Sequence, residues 1–208
     1  TYGNRNHKSL EDSEKELIEA IHYSHQHGEK VMIPAFAVAR TQELLFLLGE
    51  FFRKGLIPSM PVYLDSPLAI AATSIFQRMR EFYDDETLAV LNKGHDPFDF
   101  PQLVLSRTAE ESMAINLTGG PAIVIAGNGM CSAGRIKHHL KHNLWRKGAS
   151  LVVVGFQAAG TIGRAIVEGA SAVRIFGENI VVRAKVFTIG GFSAHADQHD
   201  LMDWLTHF

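Results

Sequence analysis

The sequence predicts an α/β fold in which a mainly parallel sheet is flanked by helices on both faces. Short apolar segments alternate with longer segments in which apolar side chains recur every three or four residues, the patterns of strands and amphipathic helices. Each parallel connection needs a crossover helix that covers the sheet, so this alternation favours a parallel sheet. With 208 residues, 46% of them hydrophobic, the chain is large enough to bury such a core.

The chain opens with a predicted helix, strand and second helix. Residues 11–27 place apolar side chains at near-helical spacing, and Ser13 and Glu16 have the spacing of a capping box. Residues 30–34 are a short apolar run that ends in proline, which predicts a strand. Residues 41–52 are rich in leucine and phenylalanine at helical spacing and predict the second helix.

The strand–helix unit repeats in the middle of the chain. Residues 61–65 predict a strand, after which Ser66 is placed to cap a helix and Pro67 fits its first turn. This helix is predicted over 68–82. Acidic residues, glycine and prolines then predict a surface insertion over 84–101.

Two further strand–helix units complete the predicted sheet. Residues 121–126 lead into a helix over 135–145, and residues 151–154 lead into a helix over 164–168. Two closing strands are predicted over residues 172–176 and 179–187.

Composition narrows the function classes. A formal charge of −2 excludes a globally basic nucleic-acid binder, so any charge effect must be local. The longest apolar runs fall far short of the about 20 residues that cross a bilayer, and no membrane span is predicted. The single cysteine, Cys131, cannot form an internal disulfide, and no basic-then-apolar leader is present. A reducing compartment, the cytoplasm, is therefore predicted.

The charged residues are unevenly distributed. No acidic residue lies between Ser112 and Val167, and we call these residues the acid-free stretch. In the helix after Gly134, the predicted buried stripe leaves several basic side chains on outward or flanking positions. This pattern predicts an unbalanced positive surface, although a solvated face that lacks acids would look the same. The outward or flanking residues are Arg135, His138, His139, His142 and Arg146.

Two glycine-rich loops follow neighbouring predicted strands. Residues 127–134 precede the basic helix, where helix N–H groups and the helix dipole favour an anion such as phosphate. Residues 155–163 would lie at the same sheet edge, beyond the carboxyl ends of the strands. Both loops are therefore predicted to face one ligand, unless the glycines serve only the tight turns. The candidate substrate-binding residues are Asn128, Gly129, Met130, Ser132, Gly134, Arg135, Lys137, Lys141 and Arg164.

Other chemistries fit these residues less well. The loop 127–134 departs from the G-x-G-x-x-G spacing, and the acid-free stretch lacks the acidic residue that would hold a ribose hydroxyl, so a dinucleotide-binding fold is the second choice. No sequence feature pairs Cys131 with a base, which argues against a cysteine nucleophile. Asp65 is expected to cap a helix or to act as a hinge.

The segment Gly190–Asp197 reads Gly-Gly-Phe-Ser-Ala-His-Ala-Asp and precedes a predicted helix. Such a histidine alone is more often structural than catalytic. However, the segment resembles the second signature histidine of the β-CASP branch of the metallo-β-lactamase nucleases, the family of the mRNA 3′-end processing endonuclease. Four further blocks resemble the family in the family's own order, namely residues 1–7, 33–45, 62–69 and 126–135.

The resemblance implies a β-CASP domain inserted into a two-zinc metallo-β-lactamase domain, with RNA cleaved between the two. We expect residues 1–189 to form the β-CASP domain and residues 190–208 to return into the other domain. The family's zinc cage needs a His-x-His-x-Asp-His run, which this sequence lacks. The chain alone is therefore expected to hold no metal and to be inactive. The expected partners are single-stranded RNA and the missing domain, and a homodimer is allowed.

The same resemblance makes His195 the catalytic candidate. A family glutamate just before residue 1 would orient it, and it would protonate the leaving oxygen or help organise the zinc shell. We expect few exposed aromatic residues, which favours backbone contacts more than base stacking and hence modest sequence specificity with strong salt dependence. Arg5 and Arg40 could reach the cleft or pair with nearby carboxylates. A stand-alone nucleotide- or RNA-binding module without catalysis is the alternative.

Overall fold

A six-stranded, all-parallel sheet lies at the centre of the structure, a computed structural model that describes residues 3–193 and 195–207. The strands are β1 (Lys30–Pro34), β2 (Val62–Asp65), β3 (Leu103–Leu105), β4 (Ala122–Ala126), β5 (Ser150–Val153), β6 (Ala172–Ile175), β7 (Glu178–Val181) and β8 (Lys185–Thr188). The order in the main sheet is β3-β2-β4-β1-β5-β8, and β6 and β7 form a separate antiparallel hairpin. The predicted parallel α/β fold is confirmed.

Helices flank the sheet, as the sequence predicts. They are α1 (Leu10–Gln26), α2 (Arg40–Arg53), α3 (Pro67–Arg78), α4 (Asp85–Asn92), α5 (Ala109–Leu117), α6 (Ile136–Asn143), α7 (Ile162–Val167) and α8 (Gln198–Leu205). None of the helices in the described part of the chain is long and apolar enough to cross a membrane.

Two apolar clusters, one on each face, hold the helices to the sheet. Val31 and Ile33 of β1 belong to the cluster that includes α1, α2 and α3, whereas Met32 belongs to the cluster beneath α6 and α7. This alternation arises because successive strand side chains point to opposite faces. Burial on both faces explains why the strands read as continuous apolar runs.

Helix starts differ in how well the sequence predicted them. Ser66 Oγ accepts the Ala69 N–H at 3.2 Å and Pro67 opens α3, as predicted. The capping box predicted at Ser13 is wrong, because α1 begins earlier and Ser9 Oγ accepts the Asp12 N–H at 3.0 Å. Ser13 is instead buried inside the helix.

Residues 84–101 are predicted to be a surface insertion, but part of this segment is helical and part is buried. It contains α4, and Phe98 and Phe100 are buried in the cluster that holds α2 and α3. The sequence analysis did not predict β3 or α5. The segments that resemble the β-CASP nucleases include Thr1, Tyr2 and Ala194, which lie outside the described residues.

A buried carboxylate joins β2 to α5 and α6. Asp65 Oδ2 accepts hydrogen bonds from Ser112 Oγ (2.6 Å) and His139 Nε2 (2.6 Å), and Asp65 Oδ1 accepts one from Arg135 Nη1 (2.7 Å). Asp65 and His139 are completely buried. The prediction that His139 faces outward or along the flank is therefore wrong, because α5 covers that side of α6.

The same network fixes Arg135. Its guanidinium also donates to the backbone carbonyls of Ser106 (3.0 Å) and Arg107 (3.1 Å), in the connection between β3 and α5. Burial opposes ionisation of Asp65, but the hydrogen bonds from His139, Ser112 and Arg135 outweigh it and lower the pKa of the carboxyl to about 2. Asp65 is thus a buried anion that joins three elements, not the predicted cap or hinge.

We expect Asp65 to make folding stability sensitive to acid. Its pKa is lowered from 3.8 to about 2, so its contribution is complete above about pH 4 and is lost as the pH falls through 2. Urea unfolding between about pH 2 and pH 7 measures this. Asp65→Asn should lower the free energy of unfolding by about 3–5 kcal/mol at neutral pH. The difference in this free energy between the variant and wild type should narrow by about 2 kcal/mol in acid. The exposed Asp99→Asn is the charge control, and a pH-independent gap would contradict the prediction.

Candidate active-site cleft

A cleft of about 240 Å³ lies at the carboxyl ends of β1, β4 and β5. Parallel sheets bind their ligands at this edge. The register aligns Pro34 at the end of β1 with Ala126 at the end of β4, so the segments that follow both strands start at one level. The residues around the cleft include Phe36 and Arg40, Gly129 and Met130, Gly155 and Phe156, and Ser193 and His195.

The loop after β4 is organised by its own asparagine. Asn128 Oδ1 accepts the backbone N–H groups of Met130 (3.2 Å) and Ser132 (3.1 Å). Gly134 has φ of +73°, and a Cβ there would lie 2.3 Å from the Gly127 carbonyl oxygen, so the turn requires glycine. A phosphate bound as predicted by the Met130 and Ser132 N–H groups would have to displace Asn128.

The second glycine-rich loop packs directly against the first. Gln157 Nε2 donates to the Gly129 carbonyl at 2.9 Å, and the Gly163 N–H donates to the Met130 carbonyl at 3.2 Å. Gln157 is buried. The two loops therefore lie together at one sheet edge, as the sequence predicts, and each fixes the other.

His195 lies where the two ends of the described chain meet. His7 Nε2 donates to the His195 carbonyl at 2.8 Å, and the His7 N–H donates to Asp197 Oδ2 at 2.7 Å. Asp197 also caps α8 through the Asp200 N–H, and the hydrogen bonds from the Asp200 and His7 N–H groups lower the pKa of its carboxyl. The Gln198 N–H donates to the Arg5 carbonyl at 3.0 Å. We call this set of contacts between residues 5–7 and 195–198 the terminal clamp.

A second cleft of about 400 Å³ adjoins the first. The two share Gly155, Phe156 and Ser193. Arg5 and Arg164 line the second cleft, whereas Arg40 lines the first and pairs with Glu43. The sequence left open whether Arg40 reaches the cleft or pairs with a carboxylate, and in the structure it does both.

Acidic residues from outside the acid-free stretch neutralise part of its charge. Lys141 pairs with Glu178 (2.6 Å) and Arg164 with Glu168 (2.6 Å), and Arg146 pairs with Glu29. The predicted unbalanced surface is wrong at these positions. Burial, followed by nearby positive groups, lowers the pKa values of His138 and His142 and disfavours their charged forms.

The predicted substrate-binding residues occupy three places. Gly129 and Met130 line the cleft with His195, and Asn128, Ser132 and Gly134 form the loop behind them. Arg164 lies in the second cleft, and Arg135 belongs to the Asp65 network. Lys137 and Lys141 face the β6–β7 hairpin, where Lys137 Nζ lies 4.5 Å from the centroid of the Phe176 ring and Lys141 pairs with Glu178.

Cys131 belongs to the loop 127–134 and is buried. Burial raises the pKa of its thiol to about 12, so the thiol remains protonated at neutral pH. A protonated, inaccessible thiol agrees with the sequence argument against a cysteine nucleophile.

The described residues do not fit a zinc centre. Among residues 3–193 and 195–207, no three His, Cys, Asp or Glu side chains lie close enough together to hold a metal ion. Near the cleft, His7 uses its ring Nε2 on the His195 carbonyl, and Asp197 uses its carboxylate on backbone N–H groups.

Three residues of the cleft were not predicted from the sequence. Phe36, Phe156 and Gln157 contribute its aromatic rings and the contact between its loops. Phe36 and Phe156 follow β1 and β5 almost directly, so their position at strand ends was the available signal. The role of Gln157 could not be predicted, because it is uncharged and lies in a loop without a periodic pattern.

Comparison with known proteins places the chain in a family. Residues 41–166 match the family described as Beta-Casp domain, and residues 179–208 match the one described as Zn-dependent metallo-hydrolase RNA specificity domain. Ribonuclease TTHA0252 of Thermus thermophilus is 42% identical over 205 residues, which cover 99% of this chain and 47% of that protein.

Archaeal proteins are also similar. Transcription termination factor FttA of Thermococcus kodakarensis is 36% identical over 99% of this chain and 33% of its own length. The RNase J-like protein of Methanocaldococcus jannaschii is 32% identical over 92% of this chain and 43% of its own length. The chain thus spans less than half the length of these relatives. On the match over residues 41–166, which is more than half of its 208 residues, the chain belongs to the Beta-Casp domain family.

Proposed function

We propose that this chain forms the substrate-holding wall of a zinc-dependent ribonuclease that hydrolyses RNA phosphodiester bonds. The observation that carries the proposal is the position of His195 on the cleft at the carboxyl ends of β1, β4 and β5. The family description with RNA specificity and the ribonuclease names of two relatives support RNA as the substrate.

The zinc ligands would come from a metallo-β-lactamase domain outside these 208 residues. One matched family is described as Zn-dependent, while the described residues offer no ligand set. That domain would hold two zinc ions, and the chain alone would be inactive. Met202, Trp204 and Leu205 on α8 are more than half exposed, which supports further polypeptide over this helix.

The terminal clamp suits such an arrangement. It places residues 5–7 beside residues 195–198, so a domain attached at both ends would meet the chain next to His195. In this proposal, residues 1–189 form the β-CASP domain and residues 190–208 return into the other domain. Cytoplasmic localisation and a homodimer remain predictions.

His195 would act as a general acid toward the leaving oxygen of the scissile phosphodiester. Its backbone is fixed by the hydrogen bond from His7 and lies close to the Asp197 cap of α8. A fixed backbone limits the positions that the imidazole can take, which favours proton transfer to one site.

The RNA backbone would run from the first cleft past Phe156 into the second. Arg164 lines the second cleft and would contact a phosphate there after leaving Glu168. After Asn128 Oδ1 releases the Met130 and Ser132 N–H groups, the loop formed by Asn128, Gly129, Met130, Ser132 and Gly134 would hold a phosphate near the scissile bond, with Arg135 keeping the loop in place. Lys137 and Lys141 would guide the strand beyond the clefts.

We expect His195→Ala in the intact protein to slow RNA cleavage by about 10²–10⁴-fold, the usual contribution of general acid–base catalysis. The dissociation constant for RNA should change by less than about threefold, because phosphate contacts dominate affinity. Single-turnover cleavage and filter binding of a 5′-labelled RNA measure the two quantities. His199→Ala, four residues further on and exposed, is the matched control. Unchanged turnover in His195→Ala would refute the catalytic assignment of His195.

We expect Arg164→Gln to weaken RNA binding and to lower the slope of log affinity against log salt by about 0.7, the value for one phosphate contact on a single strand. Glu168→Gln should strengthen binding, because it removes the carboxylate that competes for Arg164. The control is Arg174→Gln in the β6–β7 hairpin, an exposed arginine outside both clefts. Equal slopes for Arg164→Gln and wild type would exclude the second cleft from the RNA path.

A further inference from the structure

Two aromatic rings are exposed on the cleft that contains His195. Phe36 is 51% exposed and Phe156 is 42% exposed. Single exposed apolar side chains are common on protein surfaces. These two, however, line the same cleft from the ends of adjacent strands, β1 and β5. The sequence predicts few exposed aromatic residues and hence more backbone contacts than base stacking, whereas the structure places two exposed rings on this cleft.

The segment that carries Phe36 is held by buried polar side chains. Thr41 Oγ1 donates to the Phe36 carbonyl at 2.7 Å, and Gln42 Nε2 donates to the Ala37 carbonyl at 3.2 Å and to Thr73 Oγ1 at 2.8 Å. Thr41 and Gln42 are almost completely buried. The backbone under the ring is thus fixed by the interior of the protein.

The ring of Phe36 lies against the backbone of Gly129. A Cβ at position 129 would lie only 3.0 Å from Phe36 Cε2, so no larger residue fits without moving the ring. The Gly129 carbonyl accepts the hydrogen bond from buried Gln157. The ring therefore rests on a loop that is itself held in place, and binding would cost little ordering of this side chain.

We propose that Phe36 and Phe156 bind one nucleobase of single-stranded RNA by stacking, beside His195. This inference rests on the proposed function and adds a base contact to it. The cleft volume of about 240 Å³ is below the roughly 300–1,000 Å³ of pockets that hold drug-sized ligands, which suits a single ring system. Because every base has a π face, the site tolerates all four bases and sets the strand's position without reading its sequence.

The test is a double-mutant cycle between the intact protein and its RNA. One abasic position is moved nucleotide by nucleotide along a 5′-labelled RNA, and the dissociation constant is measured for wild type and for Phe36→Leu. At one register, removal of the base should weaken wild-type binding about tenfold. Phe36→Leu should weaken binding of the complete RNA by a similar factor, and should add no further loss on that abasic RNA.

Two further variants separate stacking from structural damage. Phe36→Tyr keeps the π face and should bind like wild type. Phe82→Leu is the matched control, because Phe82 is 80% exposed and does not line the cleft.

The outcomes distinguish this inference from the proposed function. An equal loss for Phe36→Leu on complete and abasic RNA, or no register at which the base matters, would overturn the stacking site while RNA binding and cleavage by wild type still stand. A cleft that binds a protein segment instead of a base would give the second of these results. If wild type neither binds nor cleaves RNA, the proposed function fails together with the inference.

Discussion

The cleft depends on the hydrogen bonds that the buried carboxylate of Asp65 accepts. An ion in the interior is stable only when its charge is fully paired, because desolvation alone costs several kcal/mol. Asp65 receives that pairing from Ser112 on α5 and from Arg135 and His139 at the start of α6. These partners determine where α6 begins, and hence where the preceding loop, residues 127–134, must end. A carboxylate at the end of β2 thus positions the loop after β4, which lines the cleft.

The rest of the cleft is held by hydrogen bonds and packing between neighbouring loops. The loop after β4 is closed by Asn128 and by the tight turn at Gly134, and its carbonyls at Gly129 and Met130 receive the Gln157 side chain and the Gly163 N–H. Phe36 then packs on Gly129 from the other side. Asn128 Oδ1 and Gln157 Nε2 form their hydrogen bonds within this assembly, and the rings of Phe36 and Phe156 are exposed at its surface. The arrangement therefore leaves the rings of Phe36 and Phe156 exposed in the same cleft as Arg40 and His195.

Local sequence signals predicted the fold well and the site only in part. The strand–helix alternation, the Ser66 cap and the meeting of the two glycine-rich loops follow from short-range patterns, and the structure contains all three. The partners of Asp65 are 47–74 residues away along the chain, so no local pattern could reveal them. The same holds for the neutralised charges, since Glu178 and Glu29 approach the acid-free stretch only in the folded chain. His139 was misassigned because helical periodicity identifies one buried stripe, whereas α6 packs against both the sheet and α5.

The terminal clamp explains why the candidate acid lies at the edge of this chain rather than within its core. His195 follows the last strand of the sheet, and its backbone is tied to residues 5–7 rather than to the loops that form the rest of the cleft. The imidazole and the aromatic rings are thus carried by two separately anchored parts that meet at one cleft. A nucleobase held between Phe36 and Phe156 would locate the strand relative to the sheet, while the clamp would locate the proton donor relative to the polypeptide that continues from both ends. In the proposed reaction, cleavage would require both parts to keep their relative positions, because a small displacement of either would separate the proposed acid from the bond next to the stacked base.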